Sequence, residues 1–231
     1  MAVGRAPQLS DAIEDYAKAI YALAQRGDGV VSTTALAARL QVTAPSVSAM
    51  VKKLAERGLV EHVPYKGVRL TAEGERVALE VMRHHRLLEL YLAEHLGVPW
   101  DRVHEEAEAL EHALSEGLEA RIAAKLGNPT HDPHGDPIPD EELHIDEGET
   151  RSLADLEVGD RGRFVRVSDA DPEMLRYLDA RGVRLGDRFQ VVERQPFEGP
   201  LSVRFGKRVQ VLGGALAAAM RVELDAPRAA R

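Results

Sequence analysis

The segments Ser32-Thr-Thr-Ala-Leu-Ala-Ala-Arg-Leu40, Gln41-Val-Thr-Ala44 and Pro45-Ser-Val-Ser-Ala-Met-Val-Lys-Lys-Leu-Ala-Glu-Arg57 decide the fold of the first third of the chain. Leu36 and Leu40 share one face of a short helix, and Gln41 to Ala44 turn the chain. Pro45 suits a helix start, where its missing amide hydrogen is not needed, and Thr43 is a boundary residue before it. Val47, Met50, Val51 and Leu54 then recur at helical spacing, and Gly58 stops the helix. Two short helices joined by about four residues, the second rich in small polar side chains, form a helix-turn-helix pattern.

Working outward, Ser10 or Asp11 can cap a helix whose apolar stripe is Ile13, Tyr16, Ala17, Ile20, Tyr21 and Leu23, with Arg26-Gly-Asp-Gly29 as its break. On the other side, Leu59 to Val63 and Val68 to Thr71 read as two strands around Pro64-Tyr-Lys-Gly67, a wing. A winged helix-turn-helix is therefore expected over residues 1–76. Small side chains at Ser46, Ser48 and Ala49 let the reading helix approach base edges, and Ala49 or Pro45 can meet a thymine methyl. Thr43, Lys52, Lys53, Lys66 and Arg69 complete the expected DNA-contacting set, the basic residues through phosphate. Elsewhere such lysines would be an ordinary solvated surface; their clustering around a turn, helix and hairpin gives them meaning.

Charge is unevenly spread. The chain has 231 residues and a formal net charge of -8. Residues 1–76 hold 10 Lys and Arg against 8 Asp and Glu, residues 77–150 hold 5 against 18, and residues 151–231 hold 15 against 12. A basic end can approach phosphate while an acidic centre stays clear or is neutralised by cations. With no cysteine, thiolate zinc sites, thiol nucleophiles and iron-sulfur clusters are excluded, leaving His, Asp and Glu as metal ligands. No apolar run approaches the roughly 20 residues of a membrane span, and no secretory signal pattern opens the chain, so a cytoplasmic location is expected.

The acidic middle, residues 77–150, reads as a helical metal-binding and dimerisation domain with a linker. One helix runs from Thr71 and Glu73 to Leu96, and a second, capped by Asp101, spans residues 103–126. His85 and Glu89 lie four apart, as do His104 and Glu108, while Glu108, Glu111 and His112 cluster on nearly one side. Carboxylates so close repel unless a cation balances them. Asp15, His85, Glu108, Glu111 and His112 form one candidate ligand set; His85 or a neighbour with Glu89 and His104 forms a second, and spacing leaves His85 open between them. Such mixed nitrogen and oxygen ligation suits Mn(II) or Fe(II) and admits Co(II), Ni(II) or Zn(II). Ala107, Leu110, Leu114, Leu118, Ile122 and Leu126 form an apolar face too large for two helices to hide, so a homodimer is expected, and its two-fold symmetry matches a palindromic double-stranded operator.

These features, taken in order, resemble the diphtheria toxin repressor family of iron- and manganese-dependent transcriptional regulators. The resemblance runs through Ala44-Pro-Ser-Val-Ser48, Leu54-Ala-Glu-Arg-Gly-Leu-Val60, Leu70-Thr-Ala-Glu-Gly74, Val81-Met-Arg-His-His-Arg-Leu87, Val103-His-Glu-Glu-Ala-Glu108, Glu111-His112 and residues 128–139. It implies that His85, Glu89 and His104 belong to an ancillary metal site and that Asp15, Glu108, Glu111 and His112 form the regulatory one. Asp15 and Glu108 stand where the iron branch offers methionine and cysteine, which points to a Mn(II)-activated repressor of metal-uptake genes, with an Fe(II)-activated one as the alternative. Lys18 departs from the manganese branch, where a carboxylate is expected. His134 resembles a further ligand of some manganese-responsive relatives, with His131 and Asp132 close by.

Residues 151–231 change texture. Leu153 to Asp160, Gly162 to Val167, Gly182 to Val192, Leu201 to Phe205 and Val209 to Leu212 read as strands with one helix at 171–179, an SH3-like β-barrel resembling the C-terminal module of the long-form metal repressors. The overall expectation is a mainly α chain with small β elements. By the same resemblance Asp171 or Glu173, with Asp169 nearby, completes the ancillary site; otherwise these carboxylates cap the helix. Two other functions remain: a dinuclear metal hydrolase, which the cluster alone permits, and a winged-helix repressor responding to an organic effector.

Overall fold

The computed structural model describes residues 9–225 apart from Arg26, Asp28 and Glu198, so part of the expected break after the first helix lies outside the described residues. Contacts divide the chain into two compact units. One holds the chain up to His85 together with Glu111–Leu114 and Pro139–His144; the other holds Arg86–Leu110, Ser115–Ile138 and the remainder.

The first unit opens with α1 (Asp11–Ala24), α2 (Thr33–Leu40) and α3 (Ala44–Glu56), followed by the hairpin β1 (Val60–Val63) and β2 (Gly67–Leu70). Ser32 caps α2 by accepting from the Ala35 amide at 3.1 Å, and Gln41 ends it in the left-handed region at φ 53°. Thr43 does the same for α3. Most of the side chains predicted to point inward are buried, among them Ile13, Tyr16, Ile20, Leu36, Val47, Val51 and Leu54, while Leu23, Leu40 and Met50 are half-buried. Full burial of each such side chain is worth about 1.5–3 kcal/mol. Val31 exchanges backbone hydrogen bonds with Val68 at 2.8 and 2.9 Å, tying the α1–α2 connection to the wing.

The helix α4 (Ala72–Leu96) starts in the first unit and ends in the second. Thr71 anchors its start, donating to the Gly58 carbonyl and accepting from the Gly74 amide. Gly74 is required there, since a Cβ would lie 2.0 Å from the Leu59 carbonyl oxygen. That close approach explains a helical glycine otherwise disfavoured by about 1 kcal/mol.

The helix expected over 103–126 is not continuous. It divides into α5 (Val103–Leu110) and α6 (Glu116–Lys125), with Glu111–Ala113 in a tighter 3-10 turn. Ser115 stands at the N-cap of α6 in extended conformation and Gly117 follows within it, both weak helix formers. Beyond lie β3 (Arg151–Ser152), β4 (Arg161–Val167), α7 (Pro172–Ala180), β5 (Arg188–Arg194), β6 (Leu201–Phe205), β7 (Arg208–Leu212), α8 (Gly214–Ala219) and β8 (Met220–Leu224). The strands form one antiparallel sheet in the order β3-β8-β4-β5-β6-β7.

This is the expected small SH3-like β module, with three corrections. Leu153–Asp155 is a 3-10 turn capped by Ser152, not a strand; the strand expected from Gly182 begins at Arg188; and α8 with β8 was not foreseen, because Gly214–Ala219 carries no alternation. Phe164, Leu175, Val191, Val203 and Met220 centre the core. A bulge between Phe164 and Arg166 breaks the β4–β8 register. There the proline-rich connection docks: the Val167 amide donates to the His134 carbonyl at 2.9 Å, and Gly135 packs so tightly that a Cβ would sit 2.0 Å from the Val165 oxygen. Among the described residues no helix is long and apolar enough to cross a membrane.

Candidate functional site

On α3 the face opposite Val47, Val51 and Leu54 exposes Pro45, Ser46, Ser48, Ala49, Lys52 and Lys53, with Thr43 exposed at the cap. Thr43 and Ser46 hydroxyls share a 2.9 Å hydrogen bond, and the Ser48 hydroxyl donates to the Ala44 carbonyl. Each hydroxyl keeps acceptor capacity for a base edge. Lys66 and Arg69 are exposed on the wing. Small residues flanked by cations on a solvent-facing helix are what groove reading requires.

A first candidate ligand cluster gathers in the same unit. Because the helix breaks after Leu110, Glu111 and His112 turn toward α1, whose Glu14, Asp15 and Lys18 face them. His112 is clasped at both ring nitrogens: Nδ1 lies 2.7 Å from Glu14 Oε2 and Nε2 lies 2.9 Å from Asp15 Oδ1. The ligand atoms of Asp15, Glu111 and His112 all lie within 4.8 Å of one another. Glu111 is buried, and Lys18 Nζ donates to both its oxygens at 2.9 Å while His85 Nδ1 sits 2.5 Å from Oε2. Burial alone would raise the Glu111 pKa, but the hydrogen bond to His85 and the Lys18 charge outweigh it and hold the carboxyl below its usual range. Burial opposes charge on His112 too, yet Glu14 and Asp15 raise its pKa.

A second cluster lies in the other unit and draws on α4, α5, the proline-rich connection and the segment after β4. His104 Nδ1 is 2.9 Å from Asp169 Oδ2 and 3.3 Å from Glu89 Oε1. Hydrogen bonds to Asp169 and then to Glu89 push its pKa up to about 10. Burial would raise Asp169, but its bond to His104 takes it down to about 2. Glu89, Asp132 and His134, all buried, form an adjoining triad. The His134 ring is oriented by Nε2 donating to the Trp100 carbonyl at 2.6 Å. That leaves Nδ1 with no hydrogen-bond partner among the described residues, 3.7 Å from Glu89 Oε2. Asp132 Oδ1 accepts the His134 and Asp136 amides at 2.8 and 2.9 Å, and Arg86 approaches Oδ2 at 4.0 Å.

Of the sequence candidates, then, Asp15, Glu111 and His112 meet in one place, Glu89, His104 and His134 in another, and His85 contacts Glu111 and Lys18. Glu108 lies near the end of α5, before the turn that carries Glu111 and His112. It stays exposed on α5, 3.8 Å from His104 Nε2. Asp171 caps α7 by accepting from the Glu173 amide, Glu173 is exposed, and Asp169 takes the place against His104 instead. Glu14 was not singled out by sequence; its signal was adjacency to Asp15 one turn from Lys18.

Residues 8–68 match the family model described as "Iron dependent repressor, N-terminal DNA binding domain", residues 71–140 the "Iron dependent repressor, metal binding and dimerisation domain", and residues 151–224 the "FeoA domain". The diphtheria toxin repressor of Corynebacterium efficiens is 33% identical over 93% of this chain and 96% of its own length. The chain belongs to the diphtheria toxin repressor family. It is a metal-dependent transcriptional repressor with DNA-binding and dimerisation domains, and since its relatives are repressors, the hydrolase alternative falls away. The iron-dependent repressor IdeR of Mycobacterium leprae is 40% identical over 57% of this chain and 56% of its own. Among solved structures, a "Manganese-dependent transcriptional repressor complex with manganese" superposes with a TM-score of 0.86 at 45% identity, covering 91% of this chain and 98% of that one.

Proposed function

We propose that this repressor is activated by Mn(II), with Fe(II) as the second candidate, and that it binds palindromic operator DNA as a homodimer to silence metal-uptake genes. Asp15, Glu111 and His112 are the responsive ligands in this reading; Glu89, His104, Asp132, His134 and Asp169 are a second set. Both sets consist of carboxylates and imidazoles with no sulfur, a donor chemistry that favours hard divalent ions, and the manganese-bound structural relative supports the same choice. The residues fit such an ion. His134 Nδ1 is buried beside Glu89 and Asp132 without a hydrogen-bond partner among the described residues, and the opposite ring nitrogen is fixed by a backbone carbonyl, the usual outer-shell arrangement of a metal-ligating histidine.

One observation carries the regulatory part: α1, which packs on α2 and α3 of the DNA reader, also supplies Asp15 to Glu111 and His112. A bound divalent ion supplies the positive charge that lets these carboxylates share one small volume. Glu14 holds the ring of His112 so that Nε2 faces Asp15, and the position of α1 fixes the frame on which α3 is presented to DNA. Leu110 and Leu118, large apolar side chains left 44% and 50% exposed, support a dimer surface on the metal-binding domain.

Operator affinity measured anaerobically against free Mn(II) and free Fe(II) tests the reading. Mn(II) is expected to tighten binding by roughly a hundredfold or more, a coupling of about 3 kcal/mol, at a lower free concentration than Fe(II). Response to Fe(II) at the lower concentration would reverse the assignment, and response to neither would favour an organic effector.

A further inference from the structure

Lys18 is placed where its charge competes with the ion that the first cluster binds. Its ammonium donates to both oxygens of the buried Glu111 at 2.9 Å and lies 3.3 Å from His85 Nδ1. Of those two oxygens, Oε1 is also the one that faces the other ligands, 3.6 Å from His112 Nε2. The same carboxylate oxygen therefore serves the lysine and lies beside His112, in a cluster that also includes Asp15. An ammonium and a divalent cation cannot both hold it at full strength, because they draw on one negative charge and repel each other at short range.

Resting on the reading of Asp15, Glu111 and His112 as ligands, we propose that Lys18 is a tethered competitor that sets the metal threshold of this cluster. When metal is scarce, Lys18 and His85 neutralise Glu111 and make its burial tolerable. Loading of the cluster requires Lys18 to release Oε1, and the aliphatic stem, one-fifth exposed with its head group, gives it a path outward. The cost of that release lowers affinity and moves the response to a higher free metal concentration. A lysine serving structure alone would behave differently, since its removal would weaken the protein without tightening metal binding.

The experiment is a Mn(II) titration of the full chain in competition with a fluorescent chelator, paired with thermal melts of the chelated and Mn(II)-loaded protein. The step assigned to the first cluster is the one that Asp15→Ala abolishes. Lys18→Met is expected to tighten that step by roughly tenfold or more, whereas Lys18→Arg, which keeps the charge, leaves it near wild type. Lys18→Met should also melt lower than wild type when chelated and recover most of the deficit when loaded. Should Lys18→Met not fold, Lys18→Gln, which keeps a donor without the charge, gives the same readout. Unchanged or weaker Mn(II) binding in the neutral variant overturns the competitor role while leaving the ligand assignment standing. A wild-type titration with no step dependent on Asp15 overturns both.

Discussion

The two candidate ligand clusters are built from the same residue types and differ in how fully their buried polar atoms are partnered. In the first, the buried carboxylate of Glu111 is already satisfied by Lys18 and His85, and both nitrogens of His112 are engaged by Glu14 and Asp15. In the second, His134 Nδ1 is buried without a hydrogen-bond partner among the described residues, facing Glu89 and Asp132. Burial of an unsatisfied polar atom costs about 1–3 kcal/mol. An ion at His134 gives a partner to a nitrogen that has none among the described residues, whereas an ion at Glu111 must displace Lys18. On the proposed function, this difference favours tight, resident loading at the second cluster and a graded response at the first.

The largest effect that would break this contrast is at the first cluster. Glu111→Ala should abolish the metal-dependent gain in operator affinity, a loss of roughly a hundredfold, and should be read by fluorescence anisotropy with labelled operator. His134→Ala should instead remove a tightly held ion, lowering retention after dialysis as measured by elemental analysis, while the operator response survives in reduced form. Glu14→Gln sharpens the comparison: it keeps the shape but weakens the hold on His112, and a loss of about 10–100-fold in Mn(II) affinity is expected, the range for partners that orient a ligand.

A smaller effect concerns pH. His104 is raised to about 10 and Asp169 lowered to about 2 through one shared hydrogen bond. For the histidine, the stabilisation is complete below its unfolded pKa of about 6.5 and fades as pH rises toward 10; for the aspartate it is present above about 3.8 and fades as pH falls toward 2. Chelated protein should melt highest between about pH 4 and 6.5 and lose stability above that window. Loaded protein should not show the alkaline decline, because a ligating imidazole must be neutral. Smallest of all, Lys66→Ala or Arg69→Ala should each lower the salt slope of operator binding by about one, with little sequence preference.

Much of this was legible in the chain itself, for reasons that differ by region. The helix-turn-helix, the wing and α4 rest on local signals, spacing of Leu36, Val47, Val51 and Leu54 and a Pro45 start, which tertiary context had no cause to override. The break after Leu110 was missed because the apolar spacing continues through Leu114 and Leu118 while only Ser115 and Gly117 argue against a helix. Asp169, Asp171 and Glu173 differ only in how a short loop leaves β4, and direction of that kind is set by the bulge at Val165 and the N-cap of α7, not by composition. The orphan nitrogen of His134 depends on a carbonyl at Trp100 and the packing of Gly135 on β4, both distant in sequence.

The most direct test of the contrast is one titration of labelled operator with Mn(II) under anaerobic conditions, run on Asp15→Ala and His134→Ala side by side. The account predicts a flat, weak isotherm for Asp15→Ala and a clear metal-dependent tightening for His134→Ala. A flat isotherm for His134→Ala together with a normal response from Asp15→Ala would contradict it.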